Sequence, residues 1–319
     1  MTFKKVNSLL LSTDRQKQSI IMKDKSINGH VAIILANVIF GLGVPATKLL
    51  LDEWVTPMTY MATRCIGAAL IFWAISLFLP KEKVERKDLI VIIIGGLLGF
   101  VISQTFTAWA LNFTSPVYYS LIATLTPIAV LMLAVPILGE KASGTKLVGV
   151  VLGIAGAALM VVLKWRSEAG SNDLLGIFLA LMSLLTWAIY LIITRKVSEK
   201  YSPVTQMKWV FLVSTIAVLP FAWKEFPQTA LYGNPLSSAS IEGVALMAFI
   251  VIFATVLGYF MIPYAMKYLQ ATTVSIYTNL QPVVASLVAI AIGQDIFTWD
   301  KPLAAVLVLV GAWLVTNKK

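Results

Sequence analysis

The sequence predicts an all-α integral membrane protein: ten transmembrane helices arranged as two inverted five-helix repeats. Three observations predict it. Apolar stretches of about 18–23 residues recur along the chain, each long enough to cross ~30 Å of hydrocarbon as a helix. Lysine and arginine fall mostly in alternate connections between those stretches. The segment 110–160 also superposes on 265–315 without a gap. Composition agrees: 59% of the 319 residues are hydrophobic and 13% charged. A soluble domain carries about 25% charged residues, so this chain has too few to cover a water-facing surface.

The first 28 residues are polar and basic, with Lys4, Lys5, Arg15, Lys17, Lys23 and Lys25 against Asp14 and Asp24. That composition predicts an unstructured tail. Leu9-Leu10-Leu11 is too brief for a signal-peptide core, so no cleaved leader is expected. Ten spans follow, at roughly 31–51, 58–79, 88–110, 116–138, 145–163, 174–194, 204–223, 242–264, 271–292 and 299–316. Pro57, Pro116 and Pro203 stand at helix starts, where a missing N–H costs nothing. Pro127 and Pro282 lie inside the fourth and ninth spans, which should both kink. The domains expected are a cytoplasmic tail at 1–28, a first repeat at 29–163, an extracytoplasmic linker at 164–173 and a second repeat at 174–317.

Charge sets the expected orientation. With the N-terminus inside, 18 of the 25 Lys and Arg fall on the inner side and four on the outer, at Lys164, Arg166, Lys224 and Lys301; Lys48, Arg64 and Lys208 lie within spans. Such a bias predicts both termini in the cytoplasm. It also accounts for the net charge of +10 without nucleic acid as a partner.

The repeat has an offset of 155 residues. It pairs Ser120 with Ser275, Pro127 with Pro282, Glu140 with Asp295, Lys146 with Lys301 and Gly156 with Gly311. An offset near 147 pairs Thr47 with Thr194 and Lys48 with Arg195, and Pro57 meets Pro203 one residue out of register. Because five spans is an odd number, the second half enters from the opposite side of the membrane. Exchange of roles between two such halves gives two related conformations, which suits alternating access with a site near the midplane.

The residues in order, Phe40-Gly41, Pro45, Lys48, Pro57 and Arg64, then Pro127 and Leu138-Gly139-Glu140, resemble the drug/metabolite transporter superfamily, in particular its EamA-type ten-helix exporters. Phe40 stands where that family usually has tryptophan. The second copy has Trp187-Ala188 and Gly293-Gln294-Asp295 at the matching places. The resemblance runs from about 30 to 316 and implies an exporter of amino acids or other metabolites.

Candidate substrate-binding residues come from the polar groups within the spans. Arg64 is the deepest charge and suits a carboxylate or phosphate; the alternatives are snorkelling or pairing with Asp52 or Glu53. Lys48 stands one turn before Asp52 and predicts an ion pair, and Lys208 is expected to snorkel. Ser120 and Thr124 share a helix face, as do their mates Ser275 and Asn279. Gln104 and Tyr259 are repeat mates, Trp187 and Tyr190 lie deep, and Asn37 needs a partner in mid-membrane. Trp109, Tyr264 and Tyr277 add aromatic faces with polar tips, for the cavity or for an interfacial belt. Close helix contact is expected at Gly95, Gly96 and Gly99, and at Gly149 and Gly153.

Several classes are disfavoured. A lone Cys65 and a lone His30 leave no Cys/His metal cluster, and no metal or cofactor is expected. No Walker-type loop appears, which argues against ATP hydrolysis. No Asp or Glu stands mid-span, which argues for facilitated diffusion or exchange over a carboxylate proton relay. A membrane-embedded enzyme would need a catalytic pair and a channel a filter or charged ring. The expectation is therefore a non-enzymatic, monomeric secondary transporter of a small organic solute in a bacterial inner membrane. An importer or a sugar-phosphate carrier remains the alternative.

Overall fold

The structure is a computed structural model. It describes residues 2–114, 116–139, 143–152, 154–155, 173–233, 239–293 and, beyond these, 299, 302–303, 306–307, 310 and 314. Side chains are described from Ser26 onward, except at 117–118, 120–121, 173–174 and 239–240. The expected fifth span is thus described at its start, the tenth at scattered positions, and most of the linker, Glu140, Gly153, Gly156, Asp295, Lys301 and Gly311 lie outside the described residues. Among the described residues there is no strand.

Seven described helices are long and apolar enough to span a bilayer. They are α1 (Thr2–Glu53, spanning from Ser26), α2 (Pro57–Leu77), α3 (Arg86–Phe113), α7 (Asp173–Lys200, spanning from Leu175), α8 (Pro203–Ala222), α9 (Ala239–Met266, spanning from Ile241) and α10 (Ala271–Ala291). Between α3 and α7 lie the shorter α4 (Pro116–Ala123), α5 (Thr126–Leu138) and α6 (144–152). Large apolar side chains face outward along these helices, among them Leu70, Met132, Ile216, Phe221 and Leu287. A lipid solvent, unlike water, leaves that exposure without cost. The tail is a correction: α1 runs unbroken from Thr2 instead of starting after an unstructured segment. No proline or glycine interrupts the chain before Gly29, so nothing local stops the helix.

Helix starts and breaks follow their local chemistry. Pro57 opens α2 behind Thr56, which forms a reciprocal capping box with Thr59. Pro203 opens α8 behind Ser202, whose hydroxyl accepts from the Thr205 amide. The kink expected at Pro127 is the break at Thr124-Leu125 between α4 and α5. The Ala123 carbonyl, four residues before Pro127 and so barred from its normal helical bond, accepts instead from the Thr126 hydroxyl at 2.6 Å. The kink expected at Pro282 is a 3₁₀ turn at Tyr277–Asn279 within α10. Gly139 and Gly293 follow α5 and α10 in the left-handed region, at φ 67° and 76°.

Secondary structure echoes the 155-residue offset. Pro116 and Ala271 open helices that far apart. Two π-helical segments, Leu97–Ile102 in α3 and Ile250–Leu257 in α9, occupy matching places. Packing pairs α2 with α8, α3 with α7, α1 with α9, and the α4–α5 pair with α10.

On the side of the membrane nearest the N-terminal end of the first span, a clasp ties the α2–α3 connection to the α7–α8 junction. Lys200 donates to Glu85 at 2.6 Å and Asp88 at 2.7 Å. The Tyr201 hydroxyl donates to Asp88, and the Ser202 amide donates to Glu82. Hydrogen bonds from Lys200 and Lys87 hold the Glu85 carboxyl below its usual range. A depressed carboxylate pKa contributes stability above the unfolded value and loses it as pH falls through the folded value. The clasp should therefore hold at neutral pH and release in acid. Lys200→Met should speed amide exchange at Glu85 and residues 81–84 while barely moving the melting temperature, because exposed ion pairs contribute little. Unchanged exchange would show that Lys200 does not hold the connection.

Candidate functional site

A part-open cavity lies within the bundle, lined by α1, α2, α3, α4, α5, α7, α9 and α10. Most of its lining lies toward the side of the bundle opposite Ser26, where α1 begins its span, such as Thr47 of α1 and Ala180 of α7. The other half is packed shut: Ile33 and Ala36, Val130 and Ala134, Leu191 and Ile192, Ile262 and Met266, and Val274 form one buried apolar cluster.

Arg64 is the one charged residue among the described lining. It sits seven residues into α2 and is 4% exposed. Its Nε donates to the Thr255 hydroxyl at 2.8 Å and its Nη1 to Gln104 Oε1 at 3.1 Å. Tyr60 and Phe100 hold their rings 5.1 Å from the guanidinium carbon, and Tyr259 holds its ring at 6.0 Å. Among the described residues no carboxylate pairs with Arg64, and its Nη2 makes no hydrogen bond. Asp52, the partner weighed from sequence, pairs with Lys48 at 2.8 Å, as the one-turn spacing predicts. A buried guanidinium braced by neutral groups keeps a fork of donors for an anion from outside the protein.

The two π segments build this brace. Phe100 and Gln104 come from α3; Thr255 and Tyr259 are their mates at the 155-residue offset on α9. All four surround Arg64, two by hydrogen bond and two by ring face. Within the α9 segment the Thr255 hydroxyl donates to the Ile250 carbonyl five residues back at 2.8 Å, while accepting from Arg64. Helical widening of this kind clusters at functional sites. A second polar chain joins Tyr119, Thr107 and Ser183, with Tyr119–Thr107 at 2.9 Å and Thr107–Ser183 at 2.8 Å. Tyr60 is held by Thr47 at 2.7 Å.

Of the residues expected from sequence, Arg64, Gln104, Trp187 and Tyr259 line this cavity. Trp187 meets Tyr259 edge-on at 5.8 Å and rests on Tyr190 at 4.9 Å. Tyr190 itself is buried against α3. Asn37 has the partner it needed: it donates to the Ile33 carbonyl and accepts from Gln281, both at 2.8 Å, so it steers a lining residue. Ser275 donates to the Thr272 carbonyl within its own helix. Thr124 and Asn279 are buried at the two helix breaks, and the Asn279 side-chain oxygen has no partner among the described residues. Ser120 lies on α4, and its side chain is outside the described residues. Sequence reasoning missed Tyr60, Thr107, Tyr119, Thr255 and Gln281. Tyr60 was within reach, since it stands one turn before Arg64 on the same face.

The EamA-like transporter family profile matches residues 27–162 and again 174–317. An Archaeoglobus fulgidus protein named as an uncharacterized transporter is 25% identical over 293 residues, covering 91% of this chain and 99% of its own length. Uncharacterized transporter YyaM of Bacillus subtilis is 23% identical over 295 residues, covering 90% and 93%. A WAT1-related protein of Arabidopsis thaliana is 22% identical over 329 residues, covering 92% and 85%. A crystal structure 19% identical in sequence shares the fold with a TM-score of 0.70, covering 92% of this chain and 98% of its own.

Proposed function

The chain belongs to the EamA-like transporter family, and we propose that it is a secondary transporter exporting amino acids or related small carboxylate-bearing metabolites by alternating access. The observation that carries this reading is Arg64, a buried cation with an unused donor pair in a cavity with no acid among its described lining. A substrate carboxylate supplies the missing counter-charge. Gln104 and Tyr60 line the same cavity for the polar end, and Phe40, Trp187 and Tyr259 enclose the apolar body, as in other small-molecule pockets. A single cation suits a monoanionic carboxylate better than a doubly charged sugar phosphate.

The architecture we infer is ten helices in two inverted repeats, 29–163 and 174–317. Matching π segments and the reciprocal pairings of α1 with α9 and α3 with α7 support it. With the basic side in the cytoplasm, the cavity faces outward and the apolar cluster is the closed gate. Export then consists of opening that cluster while the opposite half closes. The chain works as a monomer in the inner membrane, and the substrate gradient alone drives it. Purified protein in liposomes, loaded with a panel of amino acids and neutral metabolites, should exchange carboxylate-bearing solutes with the pH gradient collapsed. Exchange of neutral solutes alone would overturn the substrate reading. Flux that stops with the pH gradient would overturn the driving force.

A further inference from the structure

Four basic side chains stand five residues or more inside the ends of the described spans: Lys48, Arg64, Arg195 and Lys208. A cation at that depth needs a partner or a route to water. Lys48 pairs with Asp52 and Arg195 with Glu199, each one turn away. Arg64 faces the cavity. Lys208 has neither: no acid pairs with it among the described residues, and it is not among the cavity lining.

Its surroundings form a specific seat. Trp73 of α2 donates its indole N–H to the Lys208 carbonyl at 3.2 Å, tying α2 to α8. The Lys208 ammonium lies 5.3 Å from the Trp73 ring and 5.9 Å from the Trp209 ring. The two indoles meet edge-on at 5.5 Å. All three side chains are half-buried. Lys208 stands five residues after Pro203, about 8 Å along the helix at ~1.5 Å per residue. Its stem can carry the charge from there to the level of lipid phosphates. Tryptophan pairs also favour that level.

We propose that this seam between α2 and α8 binds the headgroup phosphate of an anionic phospholipid, on the membrane side where the chain concentrates its basic residues. Basic pockets between spanning helices on that side hold acidic headgroups in this way. The lipid phosphate replaces the acid that Lys48 and Arg195 find within their own helices. A zwitterionic headgroup carries its own ammonium and gains less, because no acid among the described residues pairs at the seam to receive it. Acyl chains would run along the exposed apolar face of α2 and α8, past Leu70 and Ile216.

The test uses the full chain purified in mild detergent. Phosphatidylglycerol should raise the melting temperature and stay bound in native mass spectrometry, whereas phosphatidylcholine and inorganic phosphate should do neither. Lys208→Arg should keep the phosphatidylglycerol effect and Lys208→Gln should lose it. Equal stabilisation by phosphatidylcholine, equal stabilisation by free phosphate, or an undiminished effect in Lys208→Gln would overturn the proposal. Should Lys208→Gln not fold, the parent protein decides. Bromine-labelled phosphatidylglycerol should quench tryptophan fluorescence more than bromine-labelled phosphatidylcholine at equal mole fraction, and equal quenching would overturn it.

Discussion

Arg64→Ala should remove transport of carboxylate-bearing solutes almost completely. A charge-assisted hydrogen bond contributes about 1.5–3 kcal/mol, so each bond lost from this fork should weaken binding by roughly 10- to 150-fold. Neutral solutes that enter the same cavity should lose far less. Arg64→Lys separates charge from shape. Lysine keeps the cation but cannot bond Thr255 and Gln104 while also presenting a planar fork. It should recover part of the binding and little of the selectivity. The alternative is that Arg64 only props α2 against α3 and α9. In that case Arg64→Ala would lower folded yield and depress carboxylate and neutral transport alike. Uptake in liposomes, normalised to protein that elutes as a single species, separates the two.

Any side chain at Gly99 should destabilise the bundle. A Cβ there would stand 2.2 Å from Cγ of Tyr190 and 2.6 Å from its Cβ, closer than real carbon atoms approach. One turn earlier, a Cβ on Gly95 would stand 2.4 Å from the Thr194 methyl. Gly95 and Gly99 on α3 thus seat Tyr190 and Thr194 of α7 in register, the small-residue packing that drives helix association in lipid. Because the Tyr190 Cβ is anchored to its backbone, the helices themselves must part. Gly99→Ala should cost about 1–3 kcal/mol by overpacking, and Gly99→Val should leave little folded protein. Gly144 is the control: a Cβ there would meet nothing within 4 Å, and Gly144→Ala should melt as the parent does. A Gly99→Ala protein with parental stability would show that α3 and α7 are free to separate.

Much of the frame was legible beforehand because it depends on neighbours within one helical turn. Seven of the expected spans appear as long apolar helices, two of them opening on Pro57 and Pro203. Pro127 and Pro282 mark breaks, since proline removes a bond from its own helix wherever it stands. Lys48 and Asp52 pair as their spacing requires. The tail was misjudged because polarity predicts missing tertiary contacts but does not itself break a helix.

The site was half legible. Polarity in a greasy span singled out Arg64, Gln104, Trp187 and Tyr259, which line the cavity. It singled out Asn37 and Tyr190 equally, yet Asn37 is occupied by Gln281, 244 residues away, and Tyr190 by two glycines of another helix. The sequence alone determined an apolar, repeated, helical chain with a charge bias and a buried arginine, because those properties are local or additive along it. Which polar groups meet was decided only by the tertiary structure. Each residue turns a regular helix by about 100°, so a π segment shifts every later side chain to another face. Leu97–Ile102 and Ile250–Leu257 make that shift before Gln104 and around Thr255. The helix crossings then bring both groups onto one guanidinium.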